Sequence, residues 1–239
     1  MQKSRLDQAM VKRGLVPTRS QAESWIKMGK VSVNNQVILK PGYFVGSEAK
    51  IEFKAVEQYV SRAGLKLASV AKALNLNFKD KVVLDVGSST GGFTDYALQH
   101  RATKVIAVDV GTNQLHPTLR SDDRVELHEQ TDIRDFHKLS TAADIVVIDV
   151  SFISLRDILP SVAKLSTKKT KIVAMVKPQF EAGSADKHKG VIKNDAMRRK
   201  ILKDFETWAK QKFIIRDKSD SEIAGAKGNR ERFYLLSKV

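Results

Sequence analysis

Gly87, Gly91 and Gly92 lie in the stretch VVLDVGSSTGGF, where an apolar run closes on Asp85 and small residues come next. The first strand-to-helix turn of an open α/β sheet needs such residues, because they let the backbone approach a bound cofactor closely. Their G-x-x-x-G-G spacing differs from the G-x-G-x-x-G that seats a dinucleotide pyrophosphate. Asp109 closes the next apolar run, about twenty residues on, where a carboxylate can accept both hydroxyls of an adenosine ribose. Asp132, in QTDIRD after the third run, is placed for the adenine amino group, although an aspartate there can also serve a turn. The candidate cofactor contacts are therefore Asp85, Gly87, Ser88, Ser89, Gly91, Gly92, Asp109, Asp132, Ile133 and Asp149. An acidic pocket without a phosphate site fits S-adenosylmethionine, with its ammonium and cationic sulfur. A nicotinamide cofactor and a purely structural turn are the alternatives.

Which atom would be methylated depends on the residues just past the later strands. The chain has no cysteine, which excludes the thiolate needed for C5 of a pyrimidine, disulfides and sulfur-ligated zinc. Its five histidines show no metal-ligand spacing, and no metal is expected. Methylation of an exocyclic amine usually employs an Asn or Asp, two prolines and an aromatic after the fourth strand. Here IDVSF offers Asp149 and no proline. A ribose hydroxyl instead needs a base to take its proton and a carboxylate to orient that base. Lys177, in MVKPQF, ends the following strand and would stand beside Asp149, since neighbouring parallel strands bring their C-terminal ends together. A lysine takes a proton only as the free amine, a form that burial and cationic neighbours favour and that Asp149 would oppose while orienting it.

The elements that must hold these residues alternate. KVVLDV, KVIAVDV, RVELHE, DIVVIDV and TKIVAMVK read as buried strands. Helices are expected from Arg62 to Leu74, from Phe93, from Leu155 to Lys164 and from Ala196 to Lys212. This predicts a Rossmann-like α/β sheet with helices on both faces. FIIRDKSDSEI and RFYLLSKV have only a loop between them, so the last strand should run antiparallel. The first sixty residues have another texture. Leu6, Ala9 and Met10, then Ala22, Trp25 and Ile26, mark two short helices, with Thr18 and Gln21 at capping-box spacing. KVSVNNQVIL and AKIEF come after them as a small sheet that turns at Asn34 and Asn35.

Lys and Arg number 42 against 27 Asp and Glu, a net charge of +15, which favours a polyanionic partner such as nucleic acid. Arg5, Lys12, Arg13, Arg19, Lys27 and Lys30 crowd the first thirty positions. Apolar runs such as IVVI are far too short to span a bilayer, and no secretory leader opens the chain. A cytoplasmic protein without membrane insertion is expected.

The segment RLDQAMVKRGLVPTRSQAESWIKMGKVSVNNQVILKPG resembles the small αL-type, S4-like RNA-binding module. The resemblance implies that Arg5, Arg19, Ser20, Lys27 and Lys30 face structured RNA, and Arg62 joins them as a candidate contact. From about Gln58 onward, YVSRAGLKL, LDVGSSTGGFTD, VDVGTNQL, DVSFISL, VKPQFEAG and GNRERF are similar to the FtsJ-like methyltransferase domain. The two modules in this order resemble the TlyA family, often labelled haemolysins, whose members act as rRNA ribose 2′-O-methyltransferases. That resemblance implies a module at 1–57, a methyltransferase domain at 58–239 and a linker at about 54–61. It implies S-adenosylmethionine as cofactor and ribosomal RNA or a ribosomal subunit as partner, with the chain a monomer or weak dimer. The family's catalytic set falls on Lys66, Asp149, Lys177 and Glu231. Lys177 would be the base, Asp149 and Glu231 would orient, and Lys66 would touch the target ribose or phosphate. Two positions depart from the pattern: Asn113, where glycine is usual, and Glu222, where proline is common. Short members such as this one imply a cytidine of large-subunit rRNA as target. A non-catalytic ribosome-binding or assembly factor and a membrane-active haemolysin are the other readings.

Overall fold

The computed structural model describes residues 3–16, 19–27, 29–53, 59–182, 191–192, 194–225 and 228–239. Backbone contacts divide the chain into two units, Met1–Gln58 and Tyr59–Val239. Thr18 of the expected capping box and most of the expected linker, 54–58, lie outside the described residues.

The first unit contains β1 (Ser4–Arg5), α1 (Leu6–Lys12), α2 (Arg19–Lys27), β2 (Val31–Val33), β3 (Gln36–Val37), β4 (Phe44–Val45) and β5 (Ile51–Phe53). Leu6, Ala9 and Met10 of α1 and Ala22, Trp25 and Ile26 of α2 are all buried, so the helical spacing does select the core face. Val31 and Val33 point inward from β2 with Ser32 between them, the period of two. β2 pairs antiparallel with β3 and β5. Asn34 and Asn35 turn the hairpin with φ of 49° and 67°, the positive values a two-residue primed turn requires. The β1–β4 pair is only two residues long on each side and carries no periodic signal in the sequence.

The second unit contains α3 (Arg62–Ala71), β6 (Val82–Val86), α4 (Gly92–Gln99), β7 (Lys104–Val108), α5 (Pro117–Arg120), β8 (Val125–His128), β9 (Ile145–Ile148) and α6 (Leu155–Leu165). It continues with β10 (Lys171–Val176), α7 (Pro178–Glu181), α8 (Asp195–Ala209), β11 (Phe213–Asp220) and β12 (Arg232–Lys238). The described strands form one seven-stranded sheet in the order β11-β12-β10-β9-β6-β7-β8. β12 slots between β10 and β11 and is antiparallel to both, while β10, β9, β6, β7 and β8 pair in parallel. Alternation along each strand divides the core. Leu84, Val86, Val146 and Ile148 pack with α6 and α8, whereas Val83, Ile145 and Val147 pack with α3 and α4. Because both faces are covered, the strands read as nearly unbroken apolar runs.

Two helices end earlier than the sequence periodicity predicts. α3 stops at Ala71 because Asn75 takes φ of 46° and the Leu76 amide folds back to the Ala71 carbonyl, closing the helix with a left-handed residue. After Ala209 the α8 backbone tightens into turns in which the Gln211 and Lys212 amides donate to Trp208 and Ala209. Among the described residues no helix is long and apolar enough to cross a membrane. β6 lies between β7 and β9, so the connections leave it in opposite directions. That switch point opens a crevice at the C-terminal strand ends.

Candidate active site

The crevice is built first by the glycine turn. Gly87 has φ of 81°, and a side chain there would bring its Cβ to 2.9 Å from the Asp149 carbonyl oxygen. Gly91 caps α4 with φ of 97°, against Leu115 and Leu119. The Asp109 carboxylate accepts from the amides of Ser89 at 2.8 Å and Gly111 at 2.7 Å, pinning the glycine turn to the loop after β7. Gly87, Ser89, Asp109, Asp132, Ile133 and Asp149 line a cavity of about 490 Å³. Asp85 and Ser88 instead line a smaller polar cavity of about 140 Å³ that also reaches Asp149, Ser151 and Lys177. Gly91 and Gly92 line neither; they serve the junction between turn and helix.

Asp85 is the most constrained acid of the group. One carboxylate oxygen accepts from the Thr94 hydroxyl at 2.7 Å, and the other is buried without a hydrogen-bond partner. Burial pushes this carboxyl up to about 7, with the charges of Asp149 and Asp109 acting in the same direction and the Thr94 bond against it. Asp132 opens a turn at the edge of the crevice. It lines the large cavity, and its carboxylate accepts from the Arg134 amide at 2.9 Å and pairs with the Arg134 guanidinium at 2.6 Å. Those bonds hold the Asp132 carboxyl below its usual range. Asn113 adopts φ of 54°, so asparagine supplies the left-handed conformation that glycine would.

The four residues of the expected catalytic set form two ion pairs. Lys177 Nζ lies 2.5 Å from Asp149 and donates to the Ser151 hydroxyl at 2.8 Å. Lys66 Nζ lies 2.5 Å from Glu231. Lys66, Lys177 and Glu231 are all buried, at 7%, 9% and 3% exposure. The sheet explains the assembly. Ile148 is opposite Ala174 across β9–β10, and Val176 is opposite Arg232 across β10–β12. Asp149, Lys177 and Glu231 are the residues next to these registered ends, and the packed helix α3 supplies Lys66 from one face. Arg62, one turn before Lys66, is drawn below its usual range by burial while Glu231 acts in the opposite direction.

Ser151 and Phe152 were not legible as site residues. Phe152 is 92% exposed, has φ of 67° and packs its ring 5.2 Å from Phe180. A bulky residue in that backbone region is strained, and it stands on the lining of the large cavity. Glu222 makes use of the N–H that proline would lack, donating to the Ser69 hydroxyl at 3.4 Å.

In the first unit, Arg5 and Arg19 converge on Asp7, which is fully buried. Arg5 Nη2 and Arg19 Nε each lie 2.8 Å from one oxygen, and Arg5 Nε lies 3.0 Å from the other. Burial alone would raise the Asp7 carboxyl, but the Arg5 and Arg19 bonds outweigh it and hold it at about 2. Lys30 is exposed and lines a cavity of about 380 Å³ with Ser32 and Asn35. The side chains of Ser20 and Lys27 lie outside the described residues. Arg13, part of the basic run, is committed to structure: its guanidinium donates to the carbonyls of Ala49 at 2.6 Å and Ser47 at 2.8 Å.

A doubly wound sheet with a glycine turn, acidic strand ends and its crevice at the switch point defines a Rossmann-like methyltransferase. Residues 59–238 match the model of the FtsJ-like methyltransferases, and residues 4–51 match that of the S4 domain. The chain belongs to the FtsJ-like methyltransferase family and, within it, to the TlyA proteins. It is 43% identical to the 23S rRNA (cytidine-2′-O)-methyltransferase TlyA of Campylobacter jejuni, over 76% of this chain and 72% of that one. A Bacillus subtilis protein labelled as an rRNA methyltransferase, YqxC, is 42% identical over 98% of this chain and 85% of its own length. A solved structure of a hemolysin-labelled protein from Streptococcus thermophilus covers 100% of this chain and 90% of its own, with 40% identity and a TM-score of 0.76.

Proposed function

We propose that this chain transfers a methyl group from S-adenosylmethionine to a ribose 2′-hydroxyl of ribosomal RNA, with a cytidine of the large subunit as the acceptor. The observation that carries the reading is the Lys177–Asp149 pair, which stands where the large and small cavities adjoin. The cofactor fits the donor set. Asp85 leaves a buried carboxylate oxygen and Ser88 a buried hydroxyl without partners, and Asp109 and Asp149 add further negative charge to the same crevice. When bound, the cofactor supplies an electrophilic methyl on a cationic sulfur.

The chain's own residues supply the rest. Once its ammonium has released a proton to solvent, Lys177 accepts the 2′-hydroxyl proton as the free amine, so the ribose oxygen gains nucleophilicity as its O–H bond breaks. Asp149 and the Ser151 hydroxyl fix the direction of the Lys177 amine, and Asp149 stabilises the ammonium that forms. Glu231 holds Lys66, which contacts the target ribose or its phosphate. In the first unit, the guanidinium groups of Arg5 and Arg19 stay partly exposed beside Asp7, and these with Lys30 contact structured RNA. Ser20, Lys27 and Arg62 complete the proposed RNA-facing set. The cytoplasm is the compartment of this reaction.

The test is incubation of the purified chain with isolated large and small ribosomal subunits and methyl-labelled cofactor, and then nucleoside mass spectrometry. Ribose-methylated cytidine from the large subunit is expected; methyl on a base would refute the assignment.

A further inference from the structure

We infer that Glu181 is a positioning residue for methyl transfer: its buried carboxylate fastens the loop that carries Asp149 and Ser151 to the segment that carries Lys177. Its catalytic significance rests on the proposed function; the tie itself stands on geometry. Lys177 is the N-cap of α7, and Glu181 is the last residue of that helix. The Glu181 side chain is 1% exposed. One oxygen accepts from the Leu155 amide at 2.6 Å and the other from the Ser154 hydroxyl at 2.7 Å. Arg156 Nε stands 3.8 Å away. Ser154 and Leu155 are the N-cap and first residue of α6, where a carboxylate is favoured by the unpaired amides and the helix dipole.

The loop between β9 and α6 is therefore held at both ends. At its start the Asp149 amide donates to the Val86 carbonyl at 3.0 Å. At its finish Glu181 grips Ser154 and Leu155 from the neighbouring strand's connection. Between these anchors lie Ser151, which receives the Lys177 hydrogen bond, and Phe152, whose strained backbone needs support from its surroundings. The Phe152–Phe180 ring contact spans the same gap. Freeing the α6 end would let Asp149 and Ser151 drift from the Lys177 amine, and displacements of about 1 Å at reacting groups can cost on the order of a hundredfold in rate.

The test compares wild type, Glu181→Ala and Glu181→Gln by single-turnover methyl transfer to ribosomal subunits, cofactor dissociation constant and thermal midpoint. Lysine side-chain nitrogen NMR of Lys177, assigned with Lys177→Arg, reads its pairing directly. Glu181→Ala is expected to slow transfer about 30- to 100-fold, leave the cofactor constant within about threefold, and shift the Lys177 resonance. Glu181→Gln keeps an acceptor for the Leu155 amide and should recover most of the rate. If Glu181→Ala fails to fold, Ser154→Ala decides the question through an intermediate loss of rate and a shifted Lys177 resonance. Unchanged transfer in folded variants, or a fixed Lys177 resonance, overturns the inference. A wild type that methylates no ribose overturns the proposed function instead, and the resonance still reports whether Glu181 sets the Lys177 environment.

Discussion

Lys177 and Asp149, at the ends of adjacent parallel strands, stand 2.5 Å apart, and both line the polar cavity next to the glycine turn. Their meeting is a consequence of register: β9 and β10 pair through Ile148 and Ala174, and each residue lies just beyond its strand. Lys177→Ala should lower the single-turnover rate by about 10²- to 10⁴-fold, the range for loss of a general base, while cofactor affinity stays within about threefold. Lys177→Arg should not restore it, because a guanidinium stays protonated. A variant retaining wild-type transfer would remove Lys177 from the chemistry.

Asp85 ties stability and cofactor binding to pH. Its carboxyl titrates at about 7 in the folded chain, against about 3.9 when unfolded. Below about pH 4 both states hold the proton and the stabilising contribution is complete. Between pH 4 and 7 only the unfolded chain releases it, so stability falls by at most about 1.4 kcal/mol per pH unit. Asp85→Asn should abolish this decline in thermal midpoint. Binding of a cationic cofactor favours the ionised carboxyl, so proton release is expected near pH 7 in calorimetry across buffers of different ionisation enthalpy. Equal release from Asp85→Asn would show that another group titrates.

Asp7 sets the spacing of Arg5 and Arg19. Its carboxyl is held at about 2, so its contribution is present above about pH 4 and is lost as the pH falls through 2. Asp7→Asn should weaken binding to an rRNA fragment about tenfold at moderate salt, and lower unit stability by about 1–3 kcal/mol. The slope of log affinity against log salt should change little, because the phosphate-facing charges remain. Unchanged affinity in a folded variant would separate the Asp7 cluster from RNA recognition.

At Asn113 the φ of 54° makes substitution asymmetric. Asn113→Gly should leave cofactor affinity within about twofold, while Asn113→Val, β-branched at positive φ, should cost roughly 1–3 kcal/mol and weaken binding. Titration calorimetry of both variants decides; equal affinities would mean the loop after β7 does not contact the cofactor.

The parallel sheet, the glycine turn and the Lys177–Asp149 meeting were legible because each arises from local pattern plus the rule that parallel strands share their ends. The antiparallel β12 was legible from the short connection before it. Lys66 and Glu231 were visible only through family resemblance, since nothing in the spacing of RAGLKL or NRERF fixes which strand end a distant helix will face. Asp7 and Glu181 were missed for a related reason. Each is a single acid whose stretch signals the family but no role for that acid, and its role arises from burial against partners that only the tertiary fold brings near. Arg13 shows the opposite error of composition: a cation in a basic run that the structure spends on backbone carbonyls.

The most direct measurement is the position of the methyl group in rRNA treated with wild type and with Lys177→Ala, read by digestion to nucleosides after single-turnover labelling. The account predicts label on a cytidine ribose with wild type and its loss, by about 10²-fold or more, with the variant that still binds cofactor. Ribose label of equal extent from both proteins would contradict it.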